Sequence, residues 1–451
     1  MKAKRIWLAA AALSAALAQA QTLSATLDNG MKVVVKEDAR APVAVSQLWY
    51  RVGSQDEHSG KTGLSHALEH MMFKGTDSVP AGEFSRKVAA WGGNDNAYTS
   101  REVTVYHQTV AARHLADVLA MEADRMANLN FSNADFDNEM KVIREERRQR
   151  TEDNPSGKLW ELMNQTAFRQ PYNRAPVIGH MADLNTLQAA DLRDWYRQWY
   201  APNNATLVIV GDVNAKATLH TVRQLFGHLP AQTLPSRHSG SEAAAQRGAR
   251  AQTSAPSELP MLSVVYSAPS LRQVDDTLPY ALSVLYEVLA GDGTARLQKN
   301  WVRQQPLAVA VGADYDMLTR TDNLFVLMGY PAKGVSTQQL QAALQSDIAA
   351  IAKNGISAAE LQRVRTQAEA NREYAKDSMS VQARIIGELE NTGLGWQAED
   401  EVQRRLLAVS AADVQNAARF LQAQKPTVVV LKPLPVNSQT ATAMGGGNEL
   451  H

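Results

Sequence analysis

The stretch GLSHALEHMMFKGT, residues 63–76, places His66, Glu69 and His70 within five positions of a chain that has only ten histidines in 451 residues. No glycine or proline interrupts Leu64 to Lys74, which predicts a helix. On a helix, residues three and four apart share a face. The three ionisable groups therefore project together, beside the apolar Ala67, Met71 and Phe73. Such a face is expected to be buried, and two imidazoles and a carboxylate on a buried face need partners. Zinc accepts imidazole nitrogens and carboxylate oxygens, usually three from the protein in catalytic sites. His66 and His70, at i and i+4, can reach one ion. Glu69 adjoins the second histidine, where it can take a proton from a water activated there. The order H-x-x-E-H is the zinc-protease pattern H-E-x-x-H read backwards. The bland alternative is a pair of surface histidines beside a solvated glutamate.

A third ligand has to come from another element. In the helix expected after Ser132, Glu139, Val142, Ile143 and Glu146 fall at i, i+3, i+4 and i+7, which predicts one inward stripe. Glu145 joins Asn138, Lys141 and Arg148 on the wet side. One carboxylate as ligand and one as its support would explain the stripe, but the pattern does not choose between Glu139 and Glu146. Ordinary pairing with nearby arginines is the alternative. The remaining charges of REERRQR read as a solvated face, and WYRQWY, residues 195–200, as aromatic helix packing. His58, His107, His114 and His180 lack ligand spacing.

The elements that must position these groups follow from pattern. TLSATL, Asp28-Asn29-Gly30 and MKVVVKE predict a hairpin, followed by a strand VAVSQLWYRVG. Helices are expected near 64–74, 81–91, 112–128, 132–152 and 188–199, and ATLVIVGDV is a strand. The second half echoes the first: FSNADFDNEMKVIREE near 131 resembles ISAAELQRVRTQAEAN near 356, and LQAADLRDWY near 187 resembles VSAADVQNAA near 409. The two separations agree, as a duplicated domain requires. The expectation is α+β: two homologous domains, each a mainly antiparallel sheet with helices packed on it. Residues 21–230 would form the metal-binding domain, 231–258 a Ser/Ala/Gly/Pro-rich linker, 259–435 the second domain and 436–451 a disordered tail.

Lysine plus arginine and aspartate plus glutamate balance at 46 each, so no basic footprint for nucleic acid exists. The absence of cysteine excludes disulfides and thiol chemistry. Lys2, Lys4 and Arg5, then IWLAAAALSAALA, then Ala18-Gln19-Ala20 read as a cleaved secretory leader over residues 1–20. The apolar run is shorter than the roughly 20 residues a membrane span needs. A bacterial periplasm is the expected location.

Several blocks, in order, resemble the pitrilysin/insulinase family of zinc metallopeptidases, in its short-chain branch with mitochondrial processing peptidase. GLSHALEHMMFKGT is similar to the family's G-x-x-H-x-x-E-H-x-x-F-x-G-T block, and EMKVIREE to its E-x6-E helix. GGNDNAYTS resembles its substrate-strand segment, while PYNRAPVIGHMADLNTL and WYAPNNATLVIVGDV resemble its first-domain signature. The resemblance implies one Zn2+ per chain held by His66, His70 and Glu146. Glu69 would be general base and Glu139 its supporting carboxylate. A peptide substrate would lie along Asn96-Ala97, held through main-chain hydrogen bonds that leave sequence preference loose. In the second repeat Val364 aligns with Glu139 and Asn371 with Glu146, and no H-x-x-E-H occurs, so only the first repeat would hold metal.

One block departs. The family's V-R-x-x-x-G-L-A-Y segment supplies an Arg and a Tyr to the substrate, whereas residues 302–311 here read VRQQPLAVAV. Arg303 remains as a substrate-binding candidate, but Val309 stands where Tyr is expected, and Tyr315 is out of register. An apolar side chain cannot donate to a developing oxyanion. The expectation is therefore a zinc endopeptidase acting on extended or unfolded polypeptides, paired with a homologous chain that carries the Arg/Tyr pair, or with a second copy of itself. A non-catalytic scaffold subunit is the alternative from another class.

Overall fold

The computed structural model describes residues 21–238 and 248–435. The expected leader, the expected tail and the middle of the expected linker, 239–247, lie outside the described residues. Eleven strands form two sheets. The first contains β1 (Thr22–Thr26), β2 (Lys32–Glu37), β3 (Val43–Tyr50), β4 (Asn94–Thr99), β5 (Thr104–Ala111) and β6 (Ala205–Gly211), in the order β1-β2-β6-β3-β5-β4. The second contains β7 (Arg250–Pro256), β8 (Met261–Ala268), β9 (Ala308–Asp314), β10 (Asn323–Pro331) and β11 (Thr427–Leu434), in the order β7-β11-β8-β10-β9. Pairing is antiparallel except for β2 with β6 and β7 with β11. With β1 set aside, the two orders superimpose strand for strand, parallel pair included. The architecture is thus α+β, with two domains of one design.

That equivalence corrects the expected linker. Residues 250–256 are β7, the counterpart of β2, bonded to β11 from Arg250↔Val428 to Pro256↔Leu434. RAQTSAP carries no apolar alternation because β7 is an edge strand in which only Ala255 is fully buried. Main-chain pairing holds it there, and composition does not reveal that.

One face of the first sheet is covered by α1 (Leu64–Met72), α3 (Leu115–Asn128), α4 (Asn133–Arg147) and the helix Ala189–Trp199. A short α2 (Glu83–Ala90) packs Phe84 and Val88 against Val110, Val118 and Met121. The other face is covered from outside the domain. Met379, Ala383 and Ile386 of the helix Met379–Thr392 pack on Val45, Trp49, Val208 and Val210. In exchange, α5 (Pro155–Ala167) sends Leu159, Met163 and Ala167 onto Val265, Val326, Val429 and Leu431 of the second sheet. Central strands such as β6, ATLVIVG, are consequently buried along their whole length, which is why they read as apolar runs and not as alternating ones.

The exchanged helices approach closely. A Cβ on Gly387 would lie 2.1 Å from Cε2 of Trp49, a ring that is 2% exposed. Replacing Gly387 by Ala is expected to cost about 2 kcal/mol through overpacking. Denaturant unfolding should show a lower midpoint with an unchanged slope.

Candidate metal centre

Helix α1 begins where the chain is gripped from three sides. Gly63, its N-cap, has φ +91°, and a Cβ there would meet the Ile178 carbonyl at 2.8 Å; only glycine fits without strain. Glu57, 4% exposed, caps the helix by accepting from the Gly63 N–H at 2.7 Å and the Ser65 N–H at 2.8 Å. A carboxylate is also favoured by the partial positive charge at a helix start. Thr62 donates its hydroxyl to Asp183 at 2.6 Å and accepts the His180 N–H at 2.8 Å. The Gly179-His180 loop is thereby tied to the start of α1.

Helix α4 is capped by a reciprocal pair. The Asp135 N–H donates to Ser132 Oγ at 3.1 Å, and the Ser132 N–H donates to the Asp135 carboxylate at 2.9 Å. Its buried stripe is Phe136, Met140, Ile143 and Arg147. Val142, expected to face inward, is 52% exposed. At about 100° per residue, Glu139 and Glu146 lie on the flank of the stripe, and Val142 falls beyond them toward solvent. Arg147 is a second correction, because it is buried and not solvated, with Glu161 of α5 at 2.8 Å.

Helices α1 and α4 pack together, and this contact assembles the site. His66 Nε2 and His70 Nε2 each lie 3.6 Å from the same oxygen, Oε2 of Glu146. One ligand atom from each of the three residues falls within 4.8 Å of the others. Tetrahedral zinc with bonds near 2.0–2.1 Å holds its ligand atoms about 3.3 Å apart, close to the 3.6 Å of both histidine–Glu146 edges. The donor chemistry fits as well: Glu146 Oε2 is buried and has no hydrogen-bond partner. A buried carboxylate oxygen left unpaired between two imidazole nitrogens is costly without a cation. The other oxygen, Oε1, is paired with Arg150 at 2.9 Å.

The supporting groups are in place. His70 Nδ1 lies 3.1 Å from Glu139 Oε2, and Glu139 Oε1 accepts from Lys74 at 2.5 Å. A carboxylate on the far ring nitrogen fixes the tautomer that leaves Nε2 free for metal. Burial lowers the His66 pKa to about 4, so its imidazole is neutral and its lone pair available. Glu69, on the same helix, accepts a hydrogen bond from the Thr99 hydroxyl. Its pKa is raised by burial, against the pull of that bond.

The structure thus brings His66, Glu69, His70, Glu139 and Glu146 together, with Asn96 and Ala97 on the adjoining strand. β4 ends the first sheet, so one of its sides has no strand neighbour among the described residues. Arg303 is not part of this cluster. It lies in the wide turn Gln298–Gln304 of the second domain and donates to the Gly293 carbonyl. Val309 is 55% exposed on β9, the counterpart of β4. Tyr315 donates its hydroxyl to the Pro269 carbonyl at 2.6 Å and packs in the second core. Glu57, Lys74, Thr99 and Arg150 were not identified from the sequence. Lys74 and Arg150 carry a usable signal, lying four residues beyond His70 and Glu146, just past the ends of α1 and α4.

Two family models match the chain, insulinase (peptidase family M16) over residues 32–179 and the peptidase M16 inactive domain over residues 186–368. The chain belongs to the insulinase family, M16. All five clustered residues fall in the first match. Zinc protease PqqE of Helicobacter pylori is 29% identical over 422 residues, covering 91% of this chain and 92% of that protein. Probable zinc protease PqqL of Escherichia coli is 27% identical over 377 residues, 78% of this chain and 39% of PqqL. A crystal structure of a protease from Helicobacter pylori superposes with a TM-score of 0.87 at 27% identity, covering 92% of this chain and 100% of that one. The first half of the periplasmic protease PqqL from Escherichia coli shares the fold, with a TM-score of 0.74 at 20% identity over 94% and 93% of the two chains.

Within this M16 fold Glu57 holds the helix that carries both histidines. Glu57→Ala leaves two buried N–H groups unpaired and is expected to cost about 2 kcal/mol. Thermal unfolding of the metal-free protein should show the loss directly.

Proposed function

We propose that this chain is a zinc-dependent endopeptidase acting on extended or unfolded polypeptides. The observation that carries the reading is the unpartnered Glu146 oxygen shared between His66 and His70, with Glu69 beside them. In such a site zinc acts as a Lewis acid and brings a water near neutral pKa. His66, His70 and Glu146 would hold it, oriented by Glu139 and Arg150. Glu69 would accept a proton from the attacking water and deliver it to the departing amine. An unpaired edge on β4 suits a peptide bound through its main chain, with Asn96 and Ala97 in contact.

A partner chain belongs to the same proposal. Val309 cannot donate, Arg303 is engaged by Gly293 and Tyr315 by Pro269, so the groups that would polarise the substrate carbonyl are sought on a homologous chain. A periplasmic location is supported by the leader pattern and by the likeness to PqqL. Among the described residues no helix is long and apolar enough to cross a membrane.

Removing metal with a chelator should abolish cleavage of an unfolded protein, and zinc should restore it. Glu69→Gln should keep one zinc while lowering kcat about a hundredfold or more. Turnover retained in Glu69→Gln would remove Glu69 as the base, and a zinc-loaded parent that cleaves nothing, as a scaffold subunit would, would refute the peptidase reading. The chain mixed with a homologue carrying the Arg/Tyr pair should exceed either alone; full activity of the isolated chain would remove the partner from the proposal.

A further inference from the structure

Among the described residues, Thr99 of the strand β4 is hydrogen-bonded to Glu69 of the helix α1. The Ala97 N–H donates to Oδ1 of its own neighbour Asn96 at 2.8 Å, and the Ser100 N–H donates to the Val103 carbonyl at 2.8 Å where β4 turns into β5. Residues opposite each other in an antiparallel pair alternate between exchanging and not exchanging main-chain hydrogen bonds. The even-numbered residues Asn94, Asn96 and Tyr98 therefore bond to β5. Asp95, Ala97 and Thr99 turn their main-chain groups to the free edge. Their side chains point toward the helices, as Ser85 on α2 shows by donating to Asp95 at 2.6 Å.

Thr99 thus has two contacts of different kinds. Its N–H and carbonyl lie on the edge open to a second strand, and its hydroxyl donates to Glu69 Oε2. Among the described residues it is the one hydrogen-bond donor to that carboxylate. Behind it, Thr104 Oγ1 lies 3.5 Å away and is itself anchored to the Val52 carbonyl at 3.0 Å. A glutamate side chain has three rotatable bonds, and a single directed donor is what selects one arrangement.

We propose that Thr99 is a positioning residue that aims Glu69 and sets its register against a peptide seated on the β4 edge; this rests on the endopeptidase reading. Asn96, whose side chain fills the Ala97 N–H on the same edge, would give way to that peptide.

The test compares zinc-loaded Thr99→Val, which keeps shape and β-branching without the hydroxyl, with Thr99→Ser, which keeps the hydroxyl. Thr99→Val should lower kcat about tenfold or more, with KM and zinc content within about twofold of the parent, and Thr99→Ser should restore most of the loss. In a Glu69→Gln background Thr99→Val should change residual turnover no further. Crystal structures of the zinc-loaded variants give a readout independent of turnover: the Glu69 carboxylate should leave its place in Thr99→Val and keep it in Thr99→Ser. An unmoved Glu69 in Thr99→Val, or a loss in KM that Ser does not rescue, would overturn the proposal. If the parent protein binds zinc but cleaves nothing, the endopeptidase reading fails, while the position of Glu69 still decides the role of Thr99.

Discussion

The packing of α1 against α4 is the contact on which the site depends. Neither helix holds a metal site by itself: α1 offers two imidazoles, and α4 offers the oxygen that lies 3.6 Å from both. Each helix has its own cap, separate from their contact. Glu57 and the Gly63–Gly179 approach set the start of α1, and the Ser132–Asp135 cap sets the start of α4. The apolar residues Leu68, Met71, Met140 and Ile143 then bring the polar edges of both helices together at the margin of the core. Lys74 and Arg150 each take one oxygen of a glutamate and so leave the other directed at a histidine. That division of each carboxylate between a cation and an imidazole holds Glu139 and Glu146 close together without free rotation.

The second domain repeats the scaffold and omits the chemistry. At the position equivalent to Glu139, Val364 is buried in the second core, and Asn371, equivalent to Glu146, is exposed. The same strand order therefore persists without any metal-binding requirement, because its stability comes from the sheet and its covering helices. β9, the counterpart of β4, likewise ends its sheet. Apart from β1, which has no counterpart in the second sheet, the two sheets share one plan, and the chemistry sits on a few flanking positions of two helices in the first half.

The residues with chemistry were legible because their spacing is short. His66, Glu69 and His70 occupy consecutive turns of one helix, and Glu139 and Glu146 lie two turns apart on another, so helical geometry groups each set, while Glu146 as ligand and Glu139 as support follow only from the family resemblance. The duplication was legible too, since its two halves recur at one separation. β7 was not legible, as main-chain pairing to β11 leaves little trace in side-chain type. Val142 misled because a β-branched residue between two inward-leaning glutamates resembles core, although the stripe is centred on Met140 and Ile143. Arg147 misleads for the opposite reason: its charge predicts a wet position, whereas Glu161 on α5 makes it a buried partner. Thr99 depends on chain segments that meet only in the folded molecule, and Glu57, though close in sequence to the N–H groups it accepts from, lies outside the capping spacing of a helix start.

The crossing of α5 onto the second sheet has a mechanical result. The chain passes from Glu146 through the wide turn Arg148–Glu152 straight into α5. That turn is clamped: a Cβ on Gly157 would sit 2.1 Å from the Arg150 carbonyl, and Arg147 is bolted to Glu161. His66 and His70 ride on a helix pinned wholly within the first domain. Glu146 stands at the seam, one turn from an element whose apolar face belongs to the other domain. Glu146 is therefore the one of the three ligand candidates joined, through the chain and the Arg147–Glu161 pair, to the helix that packs on the second sheet.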